Sequence, residues 1–219
     1  MSQSDSLREL LLFDVSNEVK YSEKQLKILE AAIETFSEKG YAATSTNEIA
    51  KKAGVAEGTI FRHYHTKKEL LIAIVSPLMT KLVGPHMAKD FAKNIFEVEY
   101  KSFKDFIRKL ALNRYEFVKK HSLVVRILLQ EISLHDELKE PYMKLFQDHI
   151  YEKFKNKIVE FQDKGEVVPL PPDTIIRLII TTIVGTLVSM FVLLPEKKWD
   201  YELEMNSTIQ LLVNGLIVK

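Results

Sequence analysis

The 219-residue chain is 46% hydrophobic and 28% charged, with only 7 glycines and 7 prolines; that balance excludes a disordered chain and leaves a folded, helix-rich protein of one or two domains. The absence of cysteine excludes disulfides, thiolate metal sites and thiol nucleophiles. A formal net charge of +1 gives no overall basic field, so any contact with nucleic acid has to come from a local arrangement of positive groups.

The N-terminus, MSQSDSLREL, lacks a basic n-region and a cleavage site, so no secretory signal is expected and the location expected is cytoplasmic. Residues 1–21 read as an extension holding a short amphipathic helix around Leu7, Leu10, Leu11 and Val15. Ser22 then opens a helix, with Gln25 placed to complete a capping box, and Leu26, Leu29, Ile33 and Phe36 form one apolar stripe before Gly40 ends it. Second and third capping boxes are predicted at Ser45 with Glu48 and at Thr66 with Glu69.

These signals cut the segment from Ser45 to Leu70 into helices too short to be stable alone, since runs below roughly 12 residues are marginal without packing partners. A helix-turn-helix explains them. Ala50 is small where two helices touch, Gly54 tolerates the turn, and Val55 and Ile60 pin the second helix on the first. A thin, exposed second helix fits a DNA major groove about 12 Å wide. The next stripe, through Leu71, Ile74, Val75, Leu78 and Leu82, runs until Gly84 and Pro85.

From Gln25 to Leu71 the chain reads QLKILEAAIETFSEKGYAATSTNEIAKKAGVAEGTIFRHYHTKKELL. The alanine pair and Phe36, the EKGY run, the threonine before EIAKKAGV, GTIFRHY, and TKKELL leading into a long helix resemble the DNA-binding domain of the TetR/AcrR family of bacterial transcription regulators. The resemblance covers about a fifth of the chain; the remainder is similar in layout only. Ala56 stands where the family often has serine, leaving the recognition helix without a side-chain N-cap. The resemblance implies that Glu57 to Tyr64 form the recognition helix. In that reading Gly58 lets the backbone approach a phosphate, Thr59 reaches a base edge or thymine methyl, and Arg62 takes a guanine bidentately. Thr46, Phe61, His63 and Lys67 are assigned to phosphates. Phe61 and Tyr64 also read as core residues of the three-helix unit, with that reading preferred for Tyr64; Ile60 reads as core.

Beyond Pro85 the segment from Phe91 to Phe161 is helical and aromatic-rich, with breaks expected near His121 to Ser122 and His135 to Pro141. DKGEVVPLPPD reads as a loop with Pro172 placed to start a helix. Two apolar helices follow, roughly Asp173 to Leu194 and Asp200 to Val218. Thr182, Gly185, Thr186 and Ser189 form a small-residue strip on the first, and Ile209, Leu212, Val213 and Leu216 line the second. The first approaches the roughly 20 residues of a membrane span, but Arg177 near its start and the amphipathic helix after it favour a protein interface, so no membrane is expected. One small head reads too few base pairs to be specific, and a two-fold dimer with recognition helices about 34 Å apart is the usual remedy. The two last helices resemble the family's dimer bundle.

The fold class expected is thus all-α and TetR-like: an extension over residues 1–21, a helix-turn-helix DNA-binding domain over 22–82, and an effector-binding and dimerisation domain over 83–219. In the family a cavity of the second domain binds a small effector. Phe103, Phe106, Phe117, Met143, Phe146 and Met190 are the residues selected for its lining, with Glu116, Glu131 and Arg177 as polar anchors or, on the plainer reading, surface ion pairs and helix ends. Effector binding is implied to tilt the helix from Lys67 and move the two recognition helices out of register with the grooves. The six histidines show no HExxH-type spacing, so neither a metal nor a cofactor is expected. There is no GxSxG, no glycine-rich phosphate loop and no compact acid/base constellation, and the function expected is that of a DNA-binding homodimeric regulator, a repressor released by a largely apolar or aromatic effector, and not an enzyme. A DNA-binding structural or partner-regulated protein without an effector is the alternative, favoured by a fully packed second domain.

Overall fold

The computed structural model describes residues 3–12, 21–83 and 85–218. Among them the regular elements are helical, and the only β pairing is an isolated antiparallel bridge between Val167 and Ile217. In chain order the helices are α1 (Gln3–Leu11), α2 (Glu23–Lys39), α3 (Thr46–Ala53), α4 (Glu57–His63), α5 (Lys67–Val83), α6 (Pro85–Ile95), α7 (Phe103–Lys120), α8 (Ser122–Glu131), α9 (Asp136–Phe146), α10 (Glu152–Asp163), α11 (Pro172–Val188) and α12 (Tyr201–Leu216). A π turn, Gln147–Tyr151, joins α9 to α10, and a second, Ser189–Leu193, prolongs α11. Val15 and Gly84, both singled out in the sequence, lie outside the described residues.

The chain forms two compact units, Met1–Met87 with Lys120–Lys144, and Ala88–Lys119 with Leu145–Lys219. In the first, α2 runs between Ser22 and Gly40 as its caps dictate. Ser22 Oγ accepts from Gln25 N–H while the Gln25 side chain accepts from Ser22 N–H, and Gly40 ends the helix at φ 82°. The other two boxes are only half as expected. Ser45 Oγ accepts from Glu48 N–H at 3.2 Å, but the Glu48 carboxylate turns to Lys39, whose ammonium holds it below the usual carboxylate range. Thr66 Oγ1 accepts from Glu69 N–H at 3.0 Å, while the Glu69 carboxylate accepts from His65 N–H at 2.9 Å, one residue before the cap. Leu26, Ile28, Leu29, Ile33 and Phe36 of α2, Ile49 and Ala50 of α3, Ile60 of α4, and Leu70, Leu71, Ile74, Val75 and Leu78 of α5 are buried. The first unit also takes in α8, which packs on α2 and α5, so the head is larger than its three sequence-defined helices.

In the second unit Glu166 accepts from the N–H of Phe103, the first residue of α7, at 2.7 Å, a carboxylate on the positive end of a helix. Phe96, Phe103, Phe106, Phe154 and Phe161 are buried with successive ring centroids 5.0–6.1 Å apart, spacing at which aromatic pairs add about 0.5–1.5 kcal/mol beyond area burial. Pro172 starts α11 as expected, and α11 packs on α10 and α12, with Thr186 Oγ1 3.1 Å from Thr208 Oγ1. The break expected at His135 to Pro141 falls earlier. The chain leaves the helix over residues 132–135, and α9 runs through Pro141, whose missing N–H forfeits one bond of the second turn.

Candidate nucleic-acid interface

The turn between α3 and α4 works through Gly54, which adopts φ 67°, ψ 34°, a left-handed conformation that costs a side-chain-bearing residue about 1–2 kcal/mol. Its N–H and that of Val55 donate back to the last carbonyls of α3. α4 is only seven residues long, and Ile60 is its one buried member. Ala56 supplies no side-chain cap, as its chemistry requires. Glu57, the first residue of α4, instead reaches across the turn to α3. One carboxylate oxygen accepts from Thr46 Oγ1 at 2.5 Å and the other from Asn47 Nδ2 at 3.2 Å, and these two bonds hold the Glu57 carboxyl below its usual range. The first turns of α3 and α4 are thereby tied side by side.

Gly58, Phe61, Arg62 and His63 are exposed on α4, and Thr59 is half-buried. Gly58 and Arg62, four residues apart, share a face. Thr46, at the start of α3, is engaged with Glu57. Tyr64 ends α4 and is buried, which pushes its phenol far above the ordinary tyrosine range. Lys67 differs from its assignment. Its ammonium donates to the carbonyls of Tyr41 at 2.8 Å, Ala42 at 3.4 Å and Thr44 at 2.9 Å and lies 4.4 Å from the centre of the Tyr41 ring. It braces the loop between α2 and α3. Behind it, the Tyr41 ring meets His135 edge-on at 5.7 Å, and His135 Nε2 lies 3.3 Å from the buried carboxylate of Glu131. Burial first, then the Glu131 charge, raises the Tyr41 phenol, with Lys68 pulling the other way. Sequence reasoning missed Glu57, Tyr41 and His135 in these roles, because their partners lie across a turn or nearly a hundred residues away and no local spacing marks them.

Five of the six residues selected for an effector lining lie in the second unit and one, Met143, in the first. Phe103 and Phe106 meet in the packed aromatic cluster, 6.1 Å apart. Met190 is buried in the π turn after α11. Phe117 is half-buried beneath the Arg114 guanidinium, and Phe146 is half-buried against Tyr151. Met143 is exposed and belongs to the first unit. Of the polar anchors, Glu131 is the paired residue of the first unit, and Glu116 and Arg177 are exposed. A groove of about 380 Å³ in the second unit is lined instead by Arg108, Leu112, Tyr115, Tyr201, Glu202, Met205 and Asn206, none of them selected from sequence. Of these, Tyr201 stacks on Phe191 with ring planes 8° apart. Among the described residues no three His, Asp or Glu side chains gather as a metal site.

A family model described as bacterial regulatory proteins of the tetR family matches residues 28–74, the span from α2 into α5 that contains this interface. Residues 28–74 carry the DNA-binding domain of the TetR family of transcription regulators. It is 25% identical over 203 residues to the fatty acid metabolism regulator protein of Bacillus subtilis, covering 88% of this chain and 95% of that relative. The solved structure of FadR from Bacillus subtilis in complex with stearoyl-CoA is similar with a TM-score of 0.61 and 23% identity, over 87% of this chain and 98% of that one. The ketosteroid regulator KstR2 of Mycobacterium tuberculosis is similar with a TM-score of 0.67 and 17% identity, over 92% and 98%. At these identities the structural likenesses establish the fold.

Proposed function

We propose that the protein is a homodimeric, cytoplasmic repressor whose grip on operator DNA is loosened by a long-chain acyl thioester of coenzyme A. The observation that carries the DNA half is α4 itself: one buried anchor, Ile60, with Gly58, Phe61, Arg62 and His63 turned outward. Arg62 and Thr59 read bases; Thr46, Gly58, Phe61 and His63 set register on phosphates. Lys67 contributes indirectly, by fixing the loop that carries α3. The dimer half draws support from the C-terminal segment, where Val184, Leu193, Leu194, Leu203, Leu211 and Val218 are exposed. α11 with its π turn, Pro172–Leu193, is long and apolar enough to cross a membrane, and only 33% of its apolar window is buried. Its packing on α10 and α12 and its outward apolar residues suit a second copy of the chain. The effector class is supported by the near full-length likeness to the fatty acid metabolism regulator and by the stearoyl-CoA held in the similar FadR structure.

The test begins with a duplex selected by the full-length protein from a random-sequence pool. The selected site should be two-fold symmetric with half-sites about 34 Å apart. Stearoyl-CoA should weaken its binding tenfold or more, coenzyme A alone should not, and the duplex should weaken stearoyl-CoA binding by the same factor. A protein monomeric at all concentrations overturns the dimer. The close packing of Phe103, Phe106 and Phe161 favours the second reading, a regulator controlled by a protein partner; operator binding indifferent to stearoyl-CoA selects it.

A further inference from the structure

The family match begins at residue 28, and α1 lies wholly before it, yet α1 is built into the first unit. Leu7, Leu10 and Leu11 fall on one helical face and are 5%, 0% and 1% exposed. α1 packs on α2 and α5 together. A nine-residue helix is unstable alone, so its order comes from this docking. Two charged ties flank the apolar seam. Arg8 Nε donates to Glu30 of α2 at 2.6 Å, with the Glu30 side chain only 18% exposed and hence poorly screened. The Glu9 carboxylate accepts from Lys120 at 2.8 Å. Lys120 is the last residue of α7 and the first after the chain passes from the second unit into the first.

The two helices that α1 joins bracket the DNA-binding element: α2 precedes α3 and α4, and α5 follows them after three intervening residues. α5 also carries Pro77 in its interior, which removes one backbone hydrogen bond and leaves a place to bend. We propose that α1 is a strap that fixes the angle between α2 and α5 and so the pose in which α4 meets DNA, with Arg8, Leu10 and Leu11 as positioning residues that touch no DNA. The proposal rests on the reading of α4 as the DNA-contacting helix. Through Glu9 and Lys120 the strap is also tied to the start of the segment 120–144 of the same unit.

The experiment compares full-length variants on the selected duplex and on a random duplex, with folded state and thermal midpoint followed by circular dichroism. Leu10→Ala with Leu11→Ala should lower the preference for the selected duplex about tenfold and leave random-duplex affinity unchanged. Leu10→Met with Leu11→Met, which keeps the volume, should retain the preference. Arg8→Glu should lower it about threefold, and Arg8→Glu combined with Glu30→Arg should restore it, a rescue that covers the case of an alanine pair that fails to fold. Folded strap variants with wild-type preference overturn the proposal. So does a parallel fall of both affinities in step with the folded fraction, which reduces α1 to a stabilising helix. A wild-type protein that selects no sequence overturns both this proposal and the reading of α4, and is told apart from the other failures because it precedes any substitution.

Discussion

The head and the aromatic cluster of the second unit are held together by different means. Around α4 the fixing contacts are directional: Glu57 on Thr46 and Asn47, Lys67 on three carbonyls, Ser45 on a free N–H, and Gly54 in a left-handed turn. They leave Gly58, Phe61, Arg62 and His63 on the outer face of α4 with no packing duty. Around Phe106 the contacts are four buried phenylalanine rings with no hydrogen bond among them. A surface that must meet a polar partner in one pose needs angular constraints, whereas a core needs volume.

The contrast is broken most easily at Phe106. Phe106→Ala should cost about 3–5 kcal/mol in denaturant unfolding, against no change in the DNA sequence selected. Arg62→Ala is the converse: stability within about 0.5 kcal/mol of wild type, and discrimination lowered by about 1–3 kcal/mol at one base pair in titrations against substituted duplexes. Equal losses at every position would remove Arg62 from base reading. Lys67→Met sharpens the distinction between bracing and clamping. It should weaken all sequences alike by about 1 kcal/mol through the released loop carbonyls, with the slope of affinity against salt unchanged; a slope reduced by about one unit would mean a lost phosphate contact instead. The smallest effect belongs to Glu57→Gln. Because the Glu57 carboxyl is lowered in the folded protein, its contribution is present above the unfolded carboxylate value of about 4.3 and is lost as pH falls through the lower folded value. The gap between wild type and Glu57→Gln in thermal unfolding should therefore hold at neutral pH and close in acid.

The same difference explains what could be read from the residues alone. Caps, turn glycines and apolar stripes act over three or four residues, so Ser22, Gly40, Ser45, Gly54 and the limits of α2 to α5 were legible, as was the all-α class. Ile60 was legible as core, while the choice left open for Phe61 was decided only by the structure, which exposes it. Whether an aromatic residue fills the core or borders a groove was not legible, because at helical spacing the two look alike: Phe103 and Phe106 fill the core, and Tyr115 and Tyr201 border the groove. Nor were the second partners of the capping glutamates. Glu48 found Lys39 across the loop, a pairing that only the folded head brings about.

The π turn at Ser189–Leu193 carries a consequence for anyone comparing lineages. An i→i+5 winding accommodates one more residue than the α-helix it interrupts, and each residue advances the helix by about 100°. A gapless superposition onto a relative with an uninterrupted helix would thus rotate every later residue of that segment by about a quarter turn, exchanging buried Met190 and its neighbours for outward ones. A single-residue gap placed there keeps the faces in phase.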